Sequence, residues 1–147
     1  MTLTIIERVL FFLGVLVLVF FMRETTADPS VYAGAWSKHI SSDAPNETHN
    51  LAALEYKGYL GGKFKNSYND NTIFAAINYK KNFTKNVEAG IVLGLNYGYR
   101  GCFPPDETGS KSVCPMAVPH VSYTKHVVQP TVLLFGDAIA GSIRIEF

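Results

Sequence analysis

Beyond its first 27 residues the chain reads as an all-β protein, an eight-stranded antiparallel barrel that crosses a membrane. Three observations predict this. Hydropathy alternates with period two after an apolar leader. Turn residues cut the remainder into eight comparable stretches. Charged residues make up only 17% of a chain that is 48% hydrophobic and 13% aromatic, which is sparse for a wetted surface and far too apolar for disorder.

The leader runs unbroken from Val9 to Met22 between Arg8 and Arg23. A spanning helix needs roughly 20 apolar residues, whereas a signal-peptide core takes about 7–15. Thr25-Thr26-Ala27 supplies a small-residue cleavage tract, so residues 1–27 are expected to be a signal peptide, the other reading being an uncleaved signal anchor. Either way, residues 28–147 are exported and form one domain. The net charge is +1 and no basic run exceeds Lys80-Lys81, which argues against nucleic acid as a partner. His39, His49, His120 and His126 show no zinc spacing and no glycine loop suits a phosphate, so neither metal nor cofactor is expected.

Each strand has its own warrant. The first candidate, 31–40, ends at the turn-rich segment Ser41–Thr48. The second and third, 49–57 and 59–67, are split at Lys57-Gly58. The fourth, 72–81, alternates Ile73, Ala75, Ile77 and Tyr79 with Phe74, Ala76, Asn78 and Lys80, and stops at the Asn82–Lys85 turn. The fifth, 86–100, is the clearest: Val87, Ala89, Ile91, Leu93, Leu95, Tyr97 and Tyr99 share one face, and small or polar residues share the other. A long connection, Gly101–Ser112, precedes the sixth candidate, 113–124. A turn near Lys125-His126 leads to the seventh, 127–136, and the eighth, 139–147, alternates Ile139, Gly141, Ile143, Ile145 and Phe147 with Ala140, Ser142, Arg144 and Glu146.

Alternation does not by itself say which face is inside. Long connections at one end and short turns at the other fit an outer-membrane barrel, whose loops are external and whose periplasmic turns are tight. The terminal Phe147 behind an apolar row resembles the C-terminal signature of such proteins. Tyr56, Tyr59, Tyr79, Tyr123 and Phe147 fall at inferred periplasmic ends, and Tyr97 and Tyr99 at an outer end, as two aromatic girdles would require. A strand array in a bilayer must also close, because open edges are not tolerated there. The expected location is therefore the outer membrane of a Gram-negative bacterium, with a bacterial or phage-encoded chain acting as a monomer. A soluble lipid-binding barrel is the competing fold.

Pro115, Pro119 and Pro130 fall inside the sixth and seventh candidates. Proline cannot donate to a ladder, so it marks a distorted strand end or a gap in the wall. Together with Trp36-Ser37-Lys38-His39 and Phe64-Lys65-Asn66-Ser67-Tyr68, these late strands resemble the outer-membrane lipid A palmitoyltransferase family. The resemblance implies an eight-strand barrel behind a signal peptide, an acyl chain held inside, and palmitoyl transfer from a phospholipid to lipid A. The family's Asp-Ser pair implies a site at Ser67, with Asn66 standing where the family has Asp. Its histidine, which follows a tryptophan directly, corresponds loosely to His39, three residues after Trp36. Membrane lipids are then the partners.

The residues themselves allow the same chemistry. Acyl transfer needs a nucleophile, a base and an oxyanion donor. Ser67 can supply a hydroxyl as nucleophile or oxyanion donor, and His39 can act as base near neutral pH. His49 is a rival base, and Asp43, Asp70 and Asp137 are available carboxylates at the same end. Phe64 is expected to face lipid, with Lys63 and Lys65 inward. Gly94, Gly98, Met116, Val118, Leu133 and Phe135 should line an apolar upper interior, an acyl pocket above a charged floor of Glu88, Arg144 and Glu146. Cys102 and Cys114 bracket a loop, and export favours a disulfide between them. The alternative function is a non-catalytic barrel, such as a surface adhesin, a receptor-masking protein or a structural protein.

Overall fold

The computed structural model describes residues 28–41, 43–102 and 109–147. The expected signal peptide lies outside the described residues. Eight strands follow in order: β1 (Ser30–His39), β2 (Ala52–Tyr56), β3 (Tyr59–Lys65), β4 (Asn71–Thr84), β5 (Val87–Arg100), β6 (Lys111–Tyr123), β7 (Val128–Phe135) and β8 (Ala138–Glu146). Each pairs antiparallel with its sequence neighbour and β1 pairs with β8, closing the barrel. Closure gives every strand a neighbour on each side, so that none is a free sheet edge.

The strand limits differ from the expected ones at two hairpins. β4 continues to Thr84, so the turn after it tightens to Lys85-Asn86, and Phe83 stays on the strand. β2 begins at Ala52, and residues 47–51 continue its course irregularly, with His49 N donating to Ala35 O at 2.8 Å and Lys65 N donating to His49 O at 2.6 Å. One end of the barrel carries the short turns and both termini of the barrel; the other carries the long connections, and is called the loop end.

The side chains are distributed inside out. Glu55, Lys80, Asn78, Thr72 and Arg144 are among the largest fully buried groups, while Leu54, Tyr59, Ile73, Leu95, Val132 and Ile139 are exposed on the outer face. In the turn-end half of the interior, Lys80 Nζ lies 2.6 Å from Glu55 Oε1. Tyr32 Oη donates to Glu55 Oε2 at 2.6 Å, and His120 Nε2 donates to Asn78 Oδ1 at 2.8 Å. Arg144 pairs with Glu88 and donates from Nε to Gln129 Oε1 at 2.6 Å. The charged floor read from Glu88, Arg144 and Glu146 is thus present and also contains Glu55 and Lys80.

Three expected orientations are reversed. Leu60, Gly62 and Phe64 form the inward row of β3, and Lys63 is exposed outside while Lys65 is half-buried. Buried Leu60 sets this phase; Gly61 and Gly62, lacking side chains, gave the pattern no anchor. Tyr99, expected in the outer girdle, points inward and lines the cavity, because a bulge between Tyr97 and Tyr99 shifts the register at Gly98, whose φ is +148°.

A second bulge matters more. Between Ala33 and Trp36 the β1–β8 register slips at Gly34, which has φ +63°. Tyr32 faces in, and strict alternation would send Gly34 in and Ser37 and His39 out. The extra residue inverts the phase, so Ala35 is buried, Trp36 lies outside, and Ser37 joins the inner lining.

Candidate active site

Above the polar floor the interior turns apolar. Tyr32, Asn78, His120 and Thr131 mark the bottom of a cavity of about 100 Å³, and Leu51, Leu60, Phe64, Phe74, Val92, Met116, Val118, Leu133 and Phe135 form its walls. Phe64 packs against Phe74 and Phe135, with ring centroids 5.9 and 5.7 Å apart, and Tyr99 stacks on Phe135 at 6.0 Å. Of the six residues assigned to the apolar upper interior, Met116, Val118, Leu133 and Phe135 therefore line this cavity. Gly94 and Gly98 do not; Gly94 faces the same side but lies under Ala76, whose Cα and Cβ a side chain at Gly94 would meet at 2.5 Å.

At the loop end the cavity meets a larger recess of about 490 Å³, lined by His39, Asp43, Ser67, Asn96, Tyr99, Arg100, Pro115, Met116, Phe135 and Asp137 among others. Ser67 lines both spaces. His39 Nε2 and Ser67 Oγ share a hydrogen bond of 3.0 Å, and Tyr99 lines both spaces beside Ser67. β1 and β3 are not neighbours in the ladder at this height, so only the barrel's curvature brings together two residues separated by 28 positions. His39 Nδ1 is buried without a hydrogen-bond partner among the described residues.

Asn66 is close to this pair but its amide points elsewhere. Its Nδ2 donates to Thr72 Oγ1 at 3.2 Å and to Gly98 O at 3.1 Å, and its Oδ1 accepts from Tyr68 N and Asp70 N at 2.9 and 3.1 Å. A fully buried asparagine with both amide ends occupied ties the β3–β4 turn to β5 and fixes the backbone that carries Ser67. A carboxylate there would lose the two donors, which explains why Asn suits this turn.

The other expected candidates separate. Asp70 pairs with Arg100 at 3.3 Å and Lys111 at 3.9 Å. Asp137 accepts from Ser41 Oγ at 3.0 Å. Beside the mouth, the Lys38 ammonium lies 2.8 Å from Glu47 Oε1 and holds that carboxyl below its usual range. His49 forms its own pair. Its Nδ1 lies 2.6 Å from Lys65 O and its Nε2 lies 2.6 Å from Ser37 Oγ, and both Ser37 and His49 line the apolar cavity. Ser37 was not an expected site residue, since period-two reading of β1 sends it outside; Gly34 was the sequence signal for the bulge that brings it in.

The wall beside this site is incomplete. β6 pairs with β5 along its whole length, but among the described residues it pairs with β7 at His120, Val121 and Ser122 alone. Pro119 bounds that short ladder on one side and Pro130 on the other. Because the β5 ladder is continuous, the missing N–H groups of Pro115 and Pro119 fall on the edge that faces β7. Above the three pairs, among the described residues, β6 runs on paired to β5 but with no ladder to β7, beside the recess that holds His39 and Ser67. Cys102 and Cys114 form the expected disulfide at the top of this unpaired stretch, with Cα atoms 5.1 Å apart. Among the described residues no group of His, Cys, Asp or Glu suits a metal ion. No protein-family model matches the chain and no curated protein matches it, so the reading of the site rests on its own geometry.

Proposed function

We propose that the protein is an outer-membrane acyltransferase that moves a fatty acyl chain from a phospholipid to a hydroxyl of lipid A. The observation that carries this reading is the His39–Ser67 hydrogen bond at the junction of an apolar cavity and a polar recess. A phospholipid ester has that division, with an apolar chain on one side of the carbonyl and a polar headgroup on the other. The chain lies among Phe64, Met116, Val118, Leu133 and Phe135, where burial contributes about 0.8 kcal/mol per methylene. The ester carbonyl then sits level with Ser67.

His39 acts as general base on the acceptor hydroxyl, and Ser67 donates to the oxyanion or takes the acyl group itself. Asn66 is a positioning residue for Ser67. The unpaired edge of β6 supports lateral entry, since a lipid in the outer leaflet reaches the recess between β6 and β7 without passing its headgroup through the apolar interior. The outward apolar row supports the membrane location, because a barrel in water would bury that row and wet the one that is buried here.

Mass spectrometry of lipid A from cells expressing the chain tests the proposal. The expected product is lipid A carrying one additional acyl chain, lost in His39→Ala. An unaltered lipid A profile from a barrel shown to be folded in the outer membrane removes the enzyme reading and leaves a non-catalytic barrel.

A further inference from the structure

We infer that Ser37, activated by His49, is a nucleophile that carries the acyl chain covalently inside the barrel. The inference rests on the acyl-transfer reading and assigns it a two-step course. The hydrogen bonds fix the state of His49. The Lys65 carbonyl can only accept, so Nδ1 bears the ring proton at 2.6 Å from it. In the neutral imidazole Nε2 then holds a lone pair, and the Ser37 hydroxyl donates to it at 2.6 Å. A serine bonded to a base that a third group orients is the arrangement of an activated nucleophile. The third group here is a peptide carbonyl on β3, which also stabilises the imidazolium that forms. The His39–Ser67 pair has no such third group among the described residues, since His39 Nδ1 is unpartnered.

The setting is built for the role. Ser37 sits on β1, held by its pairing with Ala140 and by Ser37 N donating to Glu47 O at 2.9 Å. His49 is 9% exposed and is fixed through its backbone to Ala35 and Lys65. Ser37 on its strand, and His49 clamped by backbone hydrogen bonds to both flanking strands, keep the geometry that catalysis requires. Both side chains line the apolar cavity, two residues along β1 from His39 at the mouth, a depth of about 7 Å.

In the first step Ser37 Oγ bonds to the ester carbonyl carbon while its proton passes to His49 Nε2. The bond from that carbon to the glycerol oxygen then breaks, and the departing oxygen takes the proton from His49, leaving a lysophospholipid and an acyl-serine. In the second step the acceptor hydroxyl gives its proton to His49 and bonds to the carbonyl carbon, and Ser37 Oγ leaves with the proton. No external reductant, oxidant or metal enters the balance. Ser67, on the same cavity, keeps the role of hydroxyl donor to the oxyanion; in this course His49 takes the acceptor's proton in place of His39, and His39, bonded to Ser67 at 3.0 Å, positions that hydroxyl.

The test is covalent labelling of the refolded full-length barrel in detergent with a hexadecyl fluorophosphonate, followed by peptide mapping. The expected adduct is on Ser37; it disappears in Ser37→Ala, persists in Ser67→Ala, and forms about 100-fold or more slowly in His49→Gln, the scale of losing a general base. Heat-modifiable gel mobility verifies that each variant is folded. An adduct on Ser67, an adduct that survives Ser37→Ala, or no adduct on the folded wild-type chain overturns the assignment. The outcome is independent of the lipid A measurement. A chain that acylates lipid A with Ser37 unlabelled retains acyl transfer and loses this nucleophile. A labelled Ser37 in a chain that leaves lipid A unaltered retains the nucleophile and removes lipid A as acceptor.

Discussion

Glu55 and Lys80 are each about 1% exposed and lie 2.6 Å apart, with Tyr32 and Asn78 donating to the same carboxylate. Removing one member of such a pair leaves an uncompensated charge inside the barrel, whereas replacing both with apolar side chains of similar size removes the desolvation penalty along with the attraction. Lys80→Ala is therefore expected to destabilise the refolded barrel by about 3–5 kcal/mol, and Glu55→Leu with Lys80→Met to be about neutral. Urea unfolding, followed by the fluorescence of the single tryptophan, Trp36, measures both; equal losses in the two variants would contradict the pairing argument. Neither residue was read into the charged floor: Lys80 carried a signal in the polar Asn78–Lys80 row of β4, whereas Glu55 carried none, because β2 is short and its inward residues Ala53 and Glu55 show no contrast with Ala52. Ser37 escaped for a different reason: period-two reading assumes an uninterrupted strand, and β1 is not one.

The strands assemble the candidate site where they depart from regularity. The Gly34 bulge inverts β1 so that Ser37 and His39 face inward, the Gly98 bulge turns Tyr99 toward Phe135, and the prolines leave β6 unpaired toward β7. A side chain at Gly34 would meet a left-handed φ of +63° and the Trp36 ring at 2.9 Å. Gly34→Val is expected to cost about 1–3 kcal/mol and to slow fluorophosphonate labelling in the molecules that still fold, because Ser37 leaves the inner row. Unchanged labelling would show that the bulge does not set the orientation of the site. The disulfide acts on the same stretch of β6. It closes a loop between positions 12 apart, which in the chain-entropy account stabilises by about 3 kcal/mol. Cys102→Ser with Cys114→Ser is expected to lower the unfolding free energy by up to that amount while the barrel still closes, since the β5–β6 ladder below it stays intact. Loss of heat-modifiable mobility in that variant would mean that the loop is needed for closure.

At the scale of the whole molecule, the eight strands were readable from period and turn spacing, closure from the rule that a bilayer admits no open edge, and the pairing of His39 with Ser67 from the family resemblance and their shared end of the array. The location is a separate question, and the distribution of charge bears on it. Fully buried ion pairs occupy the interior floor, exposed Lys57, Lys81, Lys85 and Lys125 sit at the turn end, and Lys38, Lys63 and Arg100 sit toward the loop end. Between them the outward row runs through Ile77, Leu93, Val121, Val132, Ile139 and Ile143, without a charged side chain. Such a band is what the proposed bilayer location requires. Ile77 lies near the middle of β4, paired with Leu93 and 39% exposed. In a membrane barrel an arginine at that depth destabilises by about 2–4 kcal/mol; on the surface of a soluble barrel it falls within about 0.5 kcal/mol of neutral. Ile77→Arg, unfolded by denaturant from phospholipid vesicles, is expected to show the larger loss, and the same arginine placed at Tyr123, which ends β6 at the turn end and pairs with Val87, a loss of about 0–1 kcal/mol. A small effect at Ile77 would return the fold to the soluble lipid-binding class. A steep dependence on depth requires a hydrocarbon layer around the strands, because a uniform solvent has no midplane for Ile77 to occupy.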